Sequence, residues 1–456
     1  MTAAKTRAIQ PSTVLVTRRK VSVRRPRAND LGWGGMDVNA EINQWGVGHG
    51  GFHTGVVTCS VEESDITTLN YVFDCGSTSL GALLVPRLRQ YVDCLKRSGT
   101  PRIDALYISH FDSDHVNGLS TLSEFIKPEI SIDRIWVPFL TPTQKLALLA
   151  KQSGVLSRAY IDLVLDPTET LGKLFEGVEV GLLKPDDEES RAQSDEPLPD
   201  NGSEAASANS DDPQIRISHG NVSITAVADK SQPGGEQTLW ELIPFVQPMV
   251  HDKAECFWKH AQSDGQMPGL STEAVPSPGD IELILTSYRK QARDLARRVL
   301  GTDGSNKSSI VLYSGPGAST LTRCCLIQDR PYVPGLGTIW DSHRTADTDQ
   351  DRIGAWLSTG DARLEHSDSV KRLRDRLGQA RAERVTVIAA PHHGSKNNSG
   401  YALWRAFPSA LFVSIHAAGT AHHPHRDVKR EIRLSKLRLF IVTDSSDDLT
   451  LLCNGS

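Results

Sequence analysis

The segment Ser109-His110-Phe111-Asp112-Ser113-Asp114-His115 sets two imidazoles and two carboxylates within six residues. Such groups, crowded at one point, repel or go unpaired unless a cation satisfies them together. The segment therefore points to a bound divalent metal and to hydrolysis by activated water. Two later segments offer the same side-chain types, Ser358-Thr359-Gly360-Asp361 and Pro391-His392-His393-Gly394-Ser395. A carboxylate such as Asp361 can bridge two ions about 3.5–4 Å apart, and each imidazole can complete a coordination shell or donate to a substrate oxygen. Taken singly, a Gly-Asp turn is common and a His or Asp ahead of a helix is usually a cap. Recurrence at three places is what makes a site.

The flanking residues place all three segments at strand ends. Ile103 to Ile108 is apolar and β-prone, while Leu119, Leu122, Phe125 and Ile126 repeat at helical spacing until Pro128, so the first cluster lies on a strand-to-helix loop. The apolar runs Ile353–Leu357 and Val385–Ala390 empty into the other two clusters. Helices are predicted from about Ser367 to Ala382 and from Arg426 to Leu434, interleaved with buried strands at Val385–Ala390, Ala410–Ile415 and Arg438–Val442. This alternation suits helices covering the faces of sheets.

Read in order, the motifs resemble a known family. Trp45-Gly46-Val47-Gly48-His49-Gly50 is similar to an opening Val-Gly-Gln-Gly turn, and Tyr71-Val72-Phe73-Asp74-Cys75-Gly76 to a strand ending in Asp-x-Gly. His110 to His115, Leu182-Leu183-Lys184-Pro185, the strand Asn306 to Leu312, Asp361, His392 to Ser395, His423-Pro424 and Thr443-Asp444 follow in the same order. The series resembles the metallo-β-lactamase fold, and specifically the soluble hydrolase domain of ComEC-type competence proteins. The resemblance implies an α/β protein, an αββα sandwich of two mixed sheets with an inserted, partly disordered segment and the metals at one edge between the sheets. It implies two divalent ions, zinc or manganese, with magnesium a third choice. His110 and Asp112 are expected on one ion, Asp114 and His115 with one of His392 or His393 on the other, and Asp361 between them. Hydroxide generated near neutral pH would be the nucleophile. Asp114 is alternatively a proton acceptor, and Lys396, Ser395 and His423 are candidate donors to charge developing on the substrate.

Departures from the family pattern carry their own implications. Asp112 stands where the broad superfamily has His, as the ComEC-like branch allows, and an oxygen donor favours manganese or magnesium more than an all-His site does. Position 49 carries His where the family usually has Gln. For the superfamily's middle His ligand, His219, His251 and His260 lie in the right interval, with nothing around them to choose one. His416, His422 and His425 are expected to face solvent.

Length and composition fit one hydrolase core with insertions. The 456-residue chain carries a formal charge of −5. It divides into a basic arm (1–30), a first half of the hydrolase domain (31–185), a disordered acidic insertion (186–213), an insertion or cap (214–305) and a second half (306–456). Lys5, Arg7, Arg18, Arg19, Lys20, Arg24, Arg25 and Arg27 precede the first carboxylate, Asp30, so the arm could meet phosphates or an acidic partner or remain a solvated tail. Alternating Val residues between Thr13 and Val23 also suit an edge strand. Within 214–305, a strand is expected at Val222–Ala226 and a helical pattern at Ile281–Leu300. There Arg289, Lys290, Arg293, Arg297 and Arg298 form either a phosphate track or a solvated face.

No apolar run approaches the roughly 20 residues that span a bilayer, and the basic amino terminus lacks an apolar signal core, so a cytoplasmic protein without membrane insertion is expected. Seven irregularly spaced cysteines suit reduced thiols. The leading function is a ComEC-like nuclease or phosphodiesterase acting on nucleic acid, single-stranded DNA above all, beside an unidentified protein partner. Hydrolysis of a small ester, lactone, thioester or nucleotide is the alternative, and a non-catalytic binding module is a third reading. The negative net charge offers polyanions no global attraction, so nucleic acid would need a local basic track.

Overall fold

Alternation of side chains along the strands builds three apolar layers. Tyr71 and Phe73 turn one way and Val72 the other, as a period of two requires. In the computed structural model, residues 36–61, 66–97, 101–152, 156–185, 213–227, 236–247, 252–300, 308–317, 320, 322–328, 354–417, 423–444 and 448–455 are described. The expected basic arm, residues 186–212 of the acidic insertion, Asn306, Lys307, His251 and His422 lie outside them.

Two eight-stranded mixed sheets form the centre. The first runs, in spatial order, Thr322–Gln328, Leu449–Gly455, Met36–Gln44, Gly50–Val61, Thr67–Ser77, Ala105–Tyr107, Arg134–Pro138 and Glu179–Leu183. The second runs Arg438–Val442, Phe412–His416, Val385–Ala389, Ala355–Ser358, Ile310–Pro316, Glu236–Val246, Asn221–Val227 and Gln214–Ser218. Tyr71, Phe73, Tyr107 and Trp136 of the first sheet pack between the layers with Trp240, Leu312, Trp356 and Val387 of the second. Val72, Leu106 and Ile135 face the opposite way, against Leu88, Tyr91, Leu122 and Leu146 of the outer helices. Val311, Leu357, Ile388 and Val413 do the same against Val370, Leu373, Leu403 and Ile432. The αββα sandwich expected from the resemblance is present.

The helices Ser367–Ala382 and Arg426–Leu434 have the expected bounds. The segment expected as a cap divides instead. Gln214–Ser218, Asn221–Val227 and Glu236–Val246 complete the second sheet, because Val222, Ile224, Trp240 and Leu242 supply the apolar face that the inter-sheet layer needs. Only Asp252–Ser263, Pro278–Ser287 and Arg289–Leu300 form a helical layer, packed against Pro142–Lys151. The pattern expected as one helix to Leu300 is thus two. A capping box between Ser277 and Asp280 starts the first, and Tyr288 leaves helical geometry between them. The chain halves also interleave, since Thr322–Gln328 and Leu449–Gly455 join the first sheet beside Met36–Gln44. Among the described residues no helix is long and apolar enough to cross a membrane.

Two features of this topology position the site. Ala105–Tyr107, Ala355–Ser358 and Val385–Ala389 are parallel to neighbouring strands, and all three ligand segments follow their carboxyl ends, where open α/β sheets gather their ligands. The end of the chain also clamps its beginning. The Asp448 carboxylate accepts the Gly46 amide at 2.7 Å and pairs with Arg87 at 2.8 Å, and the Arg87 guanidinium lies over the Trp45 ring. A Cβ on Gly46 would sit 1.6 Å from the Asp444 carbonyl oxygen, so only glycine fits there.

Candidate metal centre

Asp74 organises the site from below. Where Gly50–Val61 pairs with Thr67–Ser77, the register shifts so that Phe52 faces Cys75 and His53 faces Phe73, leaving Asp74 as the bulged residue. Its φ of 62° lies in the left-handed region, which Asp tolerates better than most residues. The bulge turns its carboxylate toward the ligand loop. There Ser109 donates its amide at 2.6 Å and its hydroxyl at 2.7 Å, and His115 Nδ1 lies 2.8 Å away.

Four imidazoles are oriented by the same device. His115 Nδ1 meets Asp74, His110 Nδ1 meets the Ser109 hydroxyl oxygen at 2.9 Å, His392 Nδ1 meets Asn398 Oδ1 at 3.1 Å, and His393 Nδ1 meets the His416 carbonyl at 3.1 Å. An oxygen acceptor at Nδ1 fixes the proton there and presents the Nε2 lone pair, as metal-binding histidines are oriented. The Nε2 atoms converge on two carboxylates. Asp361 lies 3.5 Å from His110, 3.6 Å from His115 and 3.6 Å from His392, and Asp114 lies 3.4 Å from His393 and 3.9 Å from His115. Consecutive His392 and His393 both adopt left-handed conformations, with φ of 47° and 53°, which sends one ring to Asp361 and the other to Asp114. Asn398 also donates to the Asp361 carbonyl at 2.8 Å, tying the two segments together. Backbone strain of this type is maintained where the surroundings over-determine it.

The ligand atoms fall into two groups, each within 4.8 Å: His110, His115 and Asp361 in one, and His49, Asp114 and His393 in the other. His115, expected to partner Asp114, falls in the first group, with its Nε2 3.6 Å from Asp361 and 3.9 Å from Asp114. Asp112 is at the rim, 3.8 Å from His110 Nε2, with its other oxygen accepting from Gln152 at 3.3 Å. Both His392 and His393 reach the site, where one was expected.

The electrostatics reflect this packing. Burial alone would lower the His115 imidazole, but Asp74, Asp114 and Asp361 hold it up at about 10. Burial would raise the Asp361 carboxyl, yet His392, His110 and His115 keep it well below the usual range, and His115 with His393 do the same for Asp114. Burial and the adjacent His393 push His49 down to about 3.

The remaining sequence expectations divide. Lys396 is exposed on the loop after His393. Ser395 is buried, and its hydroxyl accepts the Asn397 amide at 3.3 Å, which closes the turn. The His423 ring stands 5.5 Å from that of His392 and 5.7 Å from that of His49, at the mouth of the site. His416, expected to face solvent, turns inward instead. With Gln44, His53 and Ser414 it lines a cavity of about 40 Å³ that His115, Asp361 and His393 also line, because the strand Phe412–His416 carries it between the sheets. His425 caps the helix Arg426–Leu434 by accepting the Asp427 amide. His219 is exposed in a turn and His260 bonds within its own helix, so neither supplies a middle ligand. The histidine that sequence reasoning left without a role is His49, whose ring centroid lies 3.7 Å from that of His393. Its signal was the glycines on both sides, which let a turn approach the ligand loop.

No family model matches the sequence, and no curated protein matches it. Solved structures that align with it include a long-form RNase Z from yeast (10% identity over 90% of this chain, TM-score 0.33) and unliganded yeast PDE1 (12% over 91%, TM-score 0.37). A diphosphatase of the PhnP family aligns at 8% identity over 89% of this chain, with a TM-score of 0.25. The alignments cover 41%, 99% and 85% of those three chains, so this chain spans less than half of the yeast RNase Z.

The residues themselves fit divalent cations. The Nε2 atoms of His110, His115 and His393 are buried and face carboxylate oxygens at 3.4–3.9 Å, a loose pairing that a shared cation would tighten. The donor set of imidazole nitrogen and carboxylate oxygen suits a divalent ion.

Proposed function

We propose that this chain is a metal-dependent hydrolase of phosphodiester bonds. His110, His115, Asp361, Asp112 and His392 would hold one divalent ion, and Asp114 and His393 the other. The observation that carries the reading is the shared orientation of four histidines, each with Nδ1 against an oxygen and Nε2 turned to the same two carboxylates. Ions bound there would supply Lewis-acid activation of water and of a substrate oxygen.

The chain's own groups do the rest. Asp114, partly exposed, is alternatively the proton acceptor in place of holding the second ion. His423 and Lys396 donate at the mouth to oxygens that gain negative charge. The walls Asp112, Gln152 and Tyr160 hold one side of the opening, with the Tyr160 hydroxyl donating to the Phe111 carbonyl at 2.8 Å.

A polyanionic substrate is supported by the basic helix Arg289–Leu300. It begins at this wall, where Arg289 donates to the Gln152 carbonyl while the Gln152 side chain bonds Asp112. The reading extends to nucleic acid, single strands first, and to a cytoplasmic enzyme of the ComEC type.

Incubation with single-stranded DNA, duplex DNA, RNA and bis-p-nitrophenyl phosphate under manganese, zinc or magnesium tests it. Metal-dependent cleavage abolished by Asp114→Ala and by Asp361→Ala is expected. Turnover of a lactone or thioester panel with no phosphodiester cleavage under any ion overturns it.

A further inference from the structure

We infer that His49 is a metal ligand, completing with Asp114 and His393 the shell of the second ion. The inference rests on the two-ion reading above and adds a residue from the amino-terminal turn. Three independent observations meet at this side chain.

The first is geometric. One atom each from His49, Asp114 and His393 can be chosen so that all lie within 4.8 Å of one another. Donors that each stand about 2.0–2.3 Å from one ion fall within that limit.

The second is the environment of the ring. The His49 and His393 imidazoles lie 3.7 Å apart between centroids, and His49 Nδ1 is buried with no hydrogen-bond partner. Stacking accounts for the contact between the rings but leaves that nitrogen unsatisfied. An ion facing both rings and the Asp114 carboxylate satisfies it.

The third is the construction of the turn. Gly48 and Gly50 take φ of 77° and 147°, so the residue between them is delivered by a backbone path that side chains rarely allow. A Cβ on Gly50 would meet the Gly76 carbonyl oxygen at 2.4 Å and the Asp114 carbonyl oxygen at 2.6 Å, which means that the turn lies directly on the ligand loop. The His49 carbonyl accepts from the Thr78 amide at 2.8 Å and hydroxyl at 3.2 Å, and the Ser77 hydroxyl donates to the Val47 carbonyl. A turn pressed this closely against Asp114 and fastened by Ser77 and Thr78 holds one side chain in place, and that side chain is His49.

Cobalt titration of the full-length protein, stripped with a chelator, tests the inference through absorption and stoichiometry without recourse to activity. The parent is expected to take up two ions. In His49→Gln one ion should bind as in the parent and the other roughly a hundredfold more weakly. In His49→Cys a thiolate replaces the imidazole, so a thiolate-to-cobalt charge-transfer band should appear in the near ultraviolet, above the background that the seven native cysteines give in the parent and in material that melts as the parent does. Retention of both ions at parental affinity in His49→Gln, or two-ion loading of His49→Cys without that band, overturns the assignment. A parent that takes up no more than one ion overturns the two-ion reading and this inference together, an outcome seen before any variant is measured.

Discussion

The Asp74 carboxylate and the His115 imidazole, 41 positions apart, are joined at 2.8 Å by a contact that also fixes which ring nitrogen carries the proton. Asp74→Asn keeps a residue that tolerates the left-handed backbone but removes the charge and one acceptor oxygen. Fold and expression should be retained while metal affinity drops about 10–100-fold, read by competitive chelator titration. Parental affinity in this variant would show that His115 is oriented by something else.

Metal affinity should rise with pH. The His115 imidazole is raised from its ordinary value to about 10 by Asp74, Asp114 and Asp361 against the effect of burial. In the metal-free protein that proton contributes stability fully below the unfolded value near 6.5, and the contribution is lost as pH climbs through about 10. An ion requires the unprotonated nitrogen, so proton competition weakens across the same window, by up to about tenfold per unit. Titration between about pH 6 and 8.5 checks the sign, and a flat or falling affinity contradicts it.

Loading the site should stabilise the fold. The ligands come from strand ends in both sheets and cannot converge in the unfolded chain, so at a free-ion concentration of about 100 times Kd the gain is about 2.7 kcal/mol. Thermal denaturation with and without chelator reads it. The gain should vanish in Asp361→Ala, which leaves partners such as His110 and His115 without their shared carboxylate.

Gly50→Ala should damage both fold and site. The new Cβ meets two carbonyl oxygens closer than 3 Å at a φ of 147°, and backbone cannot yield as a flexible side chain does. A loss of roughly 2–4 kcal/mol in denaturant unfolding is expected, with metal binding weakened in the material that still folds. Gly81→Ala, at a position open to solvent, should change little by comparison.

What could be read from the sequence followed local patterning. His110 to His115, Asp361 and the His392-His393 pair were found because each follows an apolar strand, and the helix Ser367–Ala382 because Val370, Leu373 and Leu377 repeat on one face. What could not be read depended on partners far along the chain. Nothing near Gln214–Val246 says that it borders Ile310–Pro316, and apolar runs of that length suit a cap as well as a sheet. His416 seemed a surface residue because its neighbours, Ala417 to His425, are small or polar. His49 could not be joined to His393 without knowing that a turn near the start of the chain lies on a loop near its end. Asp74 carried a visible motif, but its function depends on a bulge that sequence periodicity does not reveal.

The bond from Gly46 to Asp448 spans 402 positions, and the strand it introduces, Leu449–Gly455, separates Thr322–Gln328 from Met36–Gln44. A ribosome adding about 5–20 residues per second delivers Asp448 roughly 20–80 s after Gly46. Through that interval the turn bearing His49 lacks its bond to Asp448, and His392 and His393 are not yet made for most of it. Metal acquisition therefore waits for His392 and His393, and a nascent chain carries its reactive histidines apart until those residues have emerged.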